Sequence, residues 1–286
     1  MITIGLIGAG ITGTALAVRL AQQGYHVIAV SSRSLVSAEN LAGRLNDCKV
    51  CMTAQEVADL AQFVFITTPD DVISKVANEV KWHKDQNIVH CSGAHSTDII
   101  ETAETSGAHI GCFHPLQTFA GIEQAIDNIP GSTFAIEAEG DLLTALKKMA
   151  SAMKGDWIIL NAGDKVLYHA AAVFACNYMV TLVKLATDLW QHFGVPQGQS
   201  IKALMPLLRG TLNNIENVGL PNCLTGPIAR GDLGTIEKHL EALESDNENS
   251  YLLNSYKQLG LQTIPIALAK GKIDSERGSE LQVLFQ

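Results

Sequence analysis

The stretch that most constrains this chain is its start, "ITIGLIGAGITGTALAVRLAQQG". An apolar run ends in Gly8-x-Gly10-x-x-Gly13, and a segment of helical period follows at once and closes on Gly24. Strand, glycine turn and helix in that order form the first βα unit of a dinucleotide-binding sheet. The glycines permit a tight turn and let a pyrophosphate approach backbone N–H groups, and the helix N-terminus adds a favourable dipole. Gly8, Ala9, Gly10, Ile11, Thr12 and Gly13 are therefore expected to hold a cofactor.

The second strand, "HVIAVSS", ends in "SSRS", where NAD-binding sites usually carry an acid for the ribose hydroxyls. Ser32, Arg33 and Ser34 suit a 2′-phosphate instead, with the guanidinium supplying charge-assisted hydrogen bonds. The expected cofactor is NADP rather than NAD. "ITTPDDVI" places Thr67, Thr68 and Pro69 at the carboxyl end of another strand, where open α/β sheets bind ligands. "HCSGAHS" brings Ser92 and Gly93 toward the same crevice.

Strand and helix alternate over residues 1–160, which predicts a doubly wound, mostly parallel sheet covered by helices. From about Gly163 the pattern is helical throughout, so residues 161–277 are expected to form an all-helical domain for substrate binding and dimerisation. The chain has 286 residues, 47% hydrophobic and 17% charged, enough for two cored domains and unlike a disordered polymer. A net charge of -9 argues against a protein that grips nucleic acid or anionic lipid through charge. No apolar run is expected to reach membrane-spanning length, because polar residues break each one. The start shows no basic leader, so the expectation is a cytoplasmic protein. "CKVC", Cys48 to Cys51, has no second pair at zinc spacing and reads as two cysteines beside a short strand, with a redox role as the alternative. No metal is expected. The final "LQVLFQ" resembles the recognition sequence of a picornaviral protease used to remove tags, so residues 278–286 are set apart as a tag remnant.

The combination "GAGITG", "TTPDD", "GCFHPLQTF", "YHAAAVFACN" and "LTGPIARGD" resembles the Rossmann-like proteins with a DUF2520 C-terminal domain. More broadly it resembles the superfamily of 6-phosphogluconate dehydrogenase, the β-hydroxyacid dehydrogenases, pyrroline-5-carboxylate reductase and prephenate dehydrogenase. The resemblance implies an N-terminal Rossmann domain, a helical C-terminal domain that pairs two chains, and a nicotinamide cofactor. It names no substrate. In β-hydroxyacid dehydrogenases the first helix after the Rossmann domain carries a catalytic lysine, which Lys165 matches; His169 stands where they have asparagine. At about 100° per residue the two lie about 40° apart, with Asn177 about 80° further round as a substrate contact. Lys165 is then expected to face the crevice as proton donor, with His169 orienting substrate or sharing the transfer. His114-Pro115 resembles the His-Pro motif of prephenate dehydrogenases, which makes His114 a further proton-transfer candidate and Gln117 a neighbouring hydrogen-bonding group. In "LTGPIARGD", Thr225 and Arg230 are candidate substrate ligands, although Arg230 could equally pair with Asp232.

These readings together predict an NADP-dependent oxidoreductase, a reductase of a small carbonyl, imine or hydroxy-acid compound. The competing reading is a non-catalytic NADP(H)-binding sensor or scaffold. A second hydride carrier such as a deazaflavin is a third.

Overall fold

The computed structural model describes residues 2–245 and 250–286. The glycine turn joins β1 (Thr3–Ile7) to α1 (Ile11–Gln22), and β2 (His26–Ser31), α2 (Leu35–Ala42), β3 (Lys49–Val50) and α3 (Ala54–Leu60) follow. Next come β4 (Phe63–Ile66), α4 (Asp70–Glu79), β5 (Asn87–His90), α5 (Glu101–Glu104) and β6 (His109–Leu116). The sheet closes with α6 (Ile122–Asn128), β7 (Thr133–Glu137), α7 (Gly140–Ala152) and β8 (Asp156–Ile159). The strand order is β3-β2-β1-β4-β5-β6-β7-β8, parallel except where β7 pairs antiparallel with β6.

Period-two alternation explains why this sheet is covered on both faces. Ile4, Leu6, Phe63, Phe65 and Val89 belong to one core cluster, and Ile7, Val64, Ile66 and Ile88, their neighbours in sequence, to the other. The order in which strands are added to the sheet reverses between the parallel neighbours β1 and β4, which leaves a crevice beyond the carboxyl ends of those strands. "KVCMT" yields only the two residues of β3, although the Cys51 N–H still donates to the Val30 carbonyl at 2.8 Å. Cys48 is half-buried, Cys51 buried, and both are free thiols.

The helical part comprises α8 (Lys165–Ala172), a π-helical turn at Val173–Asn177, α9 (Tyr178–Gln191), α10 (Gln197–Val218), α11 (Pro227–Arg230), α12 (Leu233–Glu244), α13 (Ser250–Ala269) and α14 (Ser275–Phe285). The stretch expected to be helical throughout includes residues 246–249, which lie outside the described residues. The chain divides into two compact units, Met1–Tyr178 and Met179–Gln286, so α8 belongs with the sheet rather than beginning a separate domain at 161. Residues 278–286, set apart above as foreign, complete α14 and contribute Leu281 and Phe285 to the core of the second unit, with Ile236, Leu240 and Ile264.

One expectation needs correction. Residues 162–191 form a helical stretch long and apolar enough to cross a membrane by length and composition alone, and its most apolar window is not buried within the chain. The Ala- and Val-rich neighbours of Lys165, His169 and Asn177 outweigh those polar residues in the average.

Candidate active site

The glycine turn is built for close approach. Gly8 has φ 113°, and a Cβ there would meet the Thr67 carbonyl carbon and oxygen at 2.7 Å. Its N–H donates to Ser31 O at 2.8 Å, and its carbonyl accepts from the Thr67 hydroxyl at 2.7 Å. At Gly10, the N-cap of α1, a Cβ would meet nothing within 4 Å. The open space over that helix N-terminus is where a phosphate can sit. A cavity of about 450 Å³ extends from it, lined by Gly8, Ala9, Gly10, Ser32, Arg33, Ser34, Thr67, Thr68 and Pro69 among others. Ile11, Thr12 and Gly13 do not line it. They open α1, and Gly13 packs against Thr67 and the Gly8 carbonyl. Ser34 caps α2, accepting from the Ser37 N–H. Arg33 is exposed and has no carboxylate partner among the described residues. Thr68 Oγ1 is buried without a hydrogen-bond partner, a polar atom that a ligand would satisfy. An open glycine cradle, an uncommitted guanidinium among serines and an unsatisfied hydroxyl fit a phosphorylated dinucleotide.

From Pro69 the site continues inward. Asp70, the first residue of α4, accepts from the Ser92 hydroxyl at 2.8 Å, and that hydroxyl accepts in turn from the N–H groups of Ala94 and His95. Ser92 is thus buried framework and not a cavity wall. Gly93 lies directly beneath two imidazoles: a Cβ there would meet His114 Nε2 at 2.8 Å and His169 Cδ2 at 2.9 Å. The two rings stand 6.5 Å apart, edge to face. Above them opens a second cavity of about 600 Å³, whose polar lining is His114, Gln117, Thr118, Tyr168, His169 and Asn177. Apolar lining comes from Leu116, Phe119 and the alanines of α8 and the π-turn. The π-turn widens the helical repeat at the residues that carry Cys176 and Asn177 into this wall, as such turns often do at functional sites. Gln117 is largely committed, its amide nitrogen donating to Asn128 O and Ser132 Oγ and its oxygen accepting from Thr118 N–H.

Sequence reasoning overlooked Tyr168. Its hydroxyl is 2.8 Å from His114 Nδ1, and the rings meet edge to face at 5.6 Å. Lys165, Tyr168 and His169 stand at i, i+3 and i+4, which is the signal that could have found it. Burial lowers the His114 pKa to about 4, helped by the nearby Lys165 and His169 charges, so this imidazole is neutral at physiological pH. Burial raises the Tyr168 hydroxyl above its usual value, so the phenol keeps its proton.

Lys165 departs from expectation. It is the only buried residue of α8, with 1% exposure, and it points into the sheet and away from the cavity. Its Nζ donates to Ser92 O at 3.1 Å and to Cys112 Sγ at 2.7 Å. A helical wheel gives the face of a residue, but it does not show that the face meets strand β6 and not a crevice. Burial raises the Cys112 thiol to about 11 despite the opposing pull of Lys165, and lowers the nearby His90 to about 3 with that same charge assisting. Thr225 and Arg230 lie in the second unit, where they line a cavity with Leu224, Gly226, Ala229, Lys270 and Lys272. Arg230 approaches Asp232 at 3.8 Å, the pairing that the sequence left open. Among the described residues no group of His, Cys, Asp or Glu is arranged to hold a metal.

The fold and crevice define an α/β dinucleotide-binding protein with a helical C-terminal region. More particularly, residues 1–115 match the Rossmann-like domain and residues 132–263 match DUF2520, a domain of unknown function, so the chain joins a Rossmann-like domain to DUF2520, the combination that the motifs suggested. The DUF2520 match begins at β7, inside the sheet. No curated protein matches the sequence. Among solved structures, a protein from Thermotoga maritima is similar at 27% identity and TM-score 0.73, over 94% of this chain and 99% of its own. A protein described as a candidate NADP oxidoreductase from Bacteroides fragilis is similar at 25% identity and TM-score 0.72, over 92% and 97%. A reductive aminase from Aspergillus terreus, solved with NADPH and ethyl-5-oxohexanoate, shares the fold at 14% identity and TM-score 0.63, over 100% and 92%.

Proposed function

We propose that the chain is an NADP-dependent reductase of a small carbonyl or imine compound. The observation that carries this reading is the continuity of the site. The glycine cradle and unsatisfied Thr68 hydroxyl lead through Asp70 and Ser92 to Gly93, directly beneath His114 and His169. The similarity to NADP-linked proteins of this fold supports it. When bound, the reduced nicotinamide supplies the hydride.

Ser32, Arg33 and Ser34 hold the 2′-phosphate, and Gly8 to Gly10 the pyrophosphate. Tyr168 donates its hydroxyl proton to the substrate oxygen or nitrogen as negative charge develops there. His114, neutral and 2.8 Å away, replaces that proton from Nδ1 while Nε2 takes one from solvent. His169 and Asn177 orient the substrate from the same wall. Lys165 is a positioning residue that holds α8 to the sheet.

The same reading takes a second copy of the chain to cover the exposed Val166, Leu167, Phe174 and Val180, giving a homodimer that works in the cytoplasm. Light scattering of the purified chain at its monomer mass would remove the dimer. Titration with NADPH and NADH, followed by nicotinamide fluorescence, tests the core reading. We expect preference for NADPH that collapses in Arg33→Ala. Failure to bind either nucleotide would sink the proposal.

A further inference from the structure

We propose that Lys165 and Cys112 are the site of a covalent N–O–S cross-link, formed by reaction of the amine and thiol with dioxygen. Nζ and Sγ lie 2.7 Å apart, well inside the sum of their van der Waals radii and too far for a direct N–S bond. That separation suits one bridging atom. Both side chains are held in register by a common acceptor, the Ser92 carbonyl, 3.1 Å from Nζ and 3.2 Å from Sγ. Neither is free to move away: Lys165 is 1% exposed and Cys112 0%. Holding two reactants in contact replaces a bimolecular encounter with an intramolecular one.

The energetics point the same way. A buried ammonium costs several kcal/mol unless it is paired, and among the described residues no carboxylate lies within ion-pair distance of Lys165. An amine attached to oxygen is far less basic and carries no charge in such a site, so the cross-link removes that cost. Dioxygen is small and apolar enough to enter a core of this kind.

The step balances. The amine loses one hydrogen and the thiol one. Nitrogen and sulfur each give up two electrons, and dioxygen takes the four. One oxygen atom becomes the bridge and the other leaves as water with the two hydrogens. The product ties α8 to β6 through the one buried residue of α8, and so fixes the helix bearing Tyr168 against the strand bearing His114. The proposal stands apart from the reductase reading, since it needs neither cofactor nor substrate.

Full-length protein prepared anaerobically with dithiothreitol would be compared with air-exposed protein by intact mass under denaturing, non-reducing conditions. Proteolytic mapping would follow. The expected result is a gain of one oxygen with loss of two hydrogens, a single peptide pair joining Lys165 to Cys112, and reversal by dithiothreitol. Cys112→Ser and Lys165→Arg should both abolish it. Three results would each overturn the proposal. One is a Cys112 still fully alkylated on unfolding after air exposure. Another is loss of two hydrogens without oxygen, which marks a disulfide such as Cys91–Cys112. The last is an unchanged mass gain in Cys112→Ser. Where a variant does not fold, the map of the unsubstituted chain decides alone.

Discussion

The two units each contain a histidine hydrogen-bonded through Nδ1 to a tyrosine hydroxyl, and the pairs are nearly superposable in local geometry. His114–Tyr168 and His239–Tyr256 both measure 2.8 Å. Their ring separations are 5.6 and 5.8 Å and their interplanar angles 89° and 83°. What differs is the surroundings. His239 lies exposed on α12 and Tyr256 on α13, a contact between neighbouring helices. His114 lies near the carboxyl end of β6 over Gly93, beside a second imidazole and a buried lysine, and opens on a cavity of about 600 Å³. A hydrogen bond of given length is therefore no signature of chemistry. The desolvated setting and the adjoining cavity make one pair a proton-transfer candidate and leave the other a packing contact.

The sharpest way to break this comparison is substitution at both pairs. Tyr168→Phe and His114→Ala should each lower kcat by about 10²–10⁴-fold on a carbonyl or imine substrate found by screening with NADPH. Tyr256→Phe and His239→Ala should leave kcat unchanged. Equal losses at both pairs would show that the tyrosines serve only stability. A glycine lies against each pair's neighbours, which gives a second contrast. At Gly93 a Cβ would meet both imidazoles, and at Gly260 it would meet the Phe285 ring, itself 6.1 Å from Tyr256. Either glycine changed to alanine overpacks its core, at about 1–3 kcal/mol, read as a lower Tm. Only Gly93→Ala should also disturb turnover by the folded fraction.

Acid separates the regions more gently. His114 and His90 have folded pKa values lowered to about 4 and about 3 from 6.5. The unfolded chain therefore binds protons that the native state refuses as pH falls below 6.5. Stability present above that pH is lost as pH falls toward the folded values, on the order of a few kcal/mol per histidine at the bottom of the window. Urea melts at pH 7 and pH 4 should show this loss, and it should shrink in His114→Ala. A pH-independent midpoint would mean that the imidazole is hydrated and the cavity polar.

The Rossmann layout was legible because its signals are local. The glycine turn follows an apolar strand run, and "SSRS" ends the next strand, so neighbours in sequence remain neighbours in space. Lys165 was harder. Helical spacing places Lys165, Tyr168 and His169 on adjoining faces, but the sequence does not say which face meets Cys112 of β6, a non-local contact. The lysine was expected in the crevice and the tyrosine was passed over, whereas the structure buries the first and lines the cavity with the second. Thr225 and Arg230 illustrate the same non-local dependence: their polarity was visible, but their place around a cavity of the second unit depends on how α11 packs with α12 and α13. The membrane-length stretch at 162–191 was missed because individual polar residues were weighed above the average of their neighbours.

The smallest expected effect concerns Thr68 and tests whether the first cavity is shaped for a ligand. Its hydroxyl is buried and unpartnered, a desolvation cost carried by the free protein. Thr67, beside it, spends its hydroxyl on the Gly8 carbonyl and so holds the turn. Thr68→Val keeps the shape and removes the unsatisfied group, so the free protein should be as stable as before or slightly more stable. If the hydroxyl meets the nucleotide, NADPH binding should weaken by the net worth of one hydrogen bond, about 0.5–1.5 kcal/mol, or roughly 2- to 12-fold in Kd. Thr67→Val should instead lower Tm, because the Gly8 carbonyl loses its donor. A stabilised Thr68→Val protein that binds NADPH as tightly as the original would place the ligand away from the Thr68 hydroxyl and break the continuity on which the reductase reading rests.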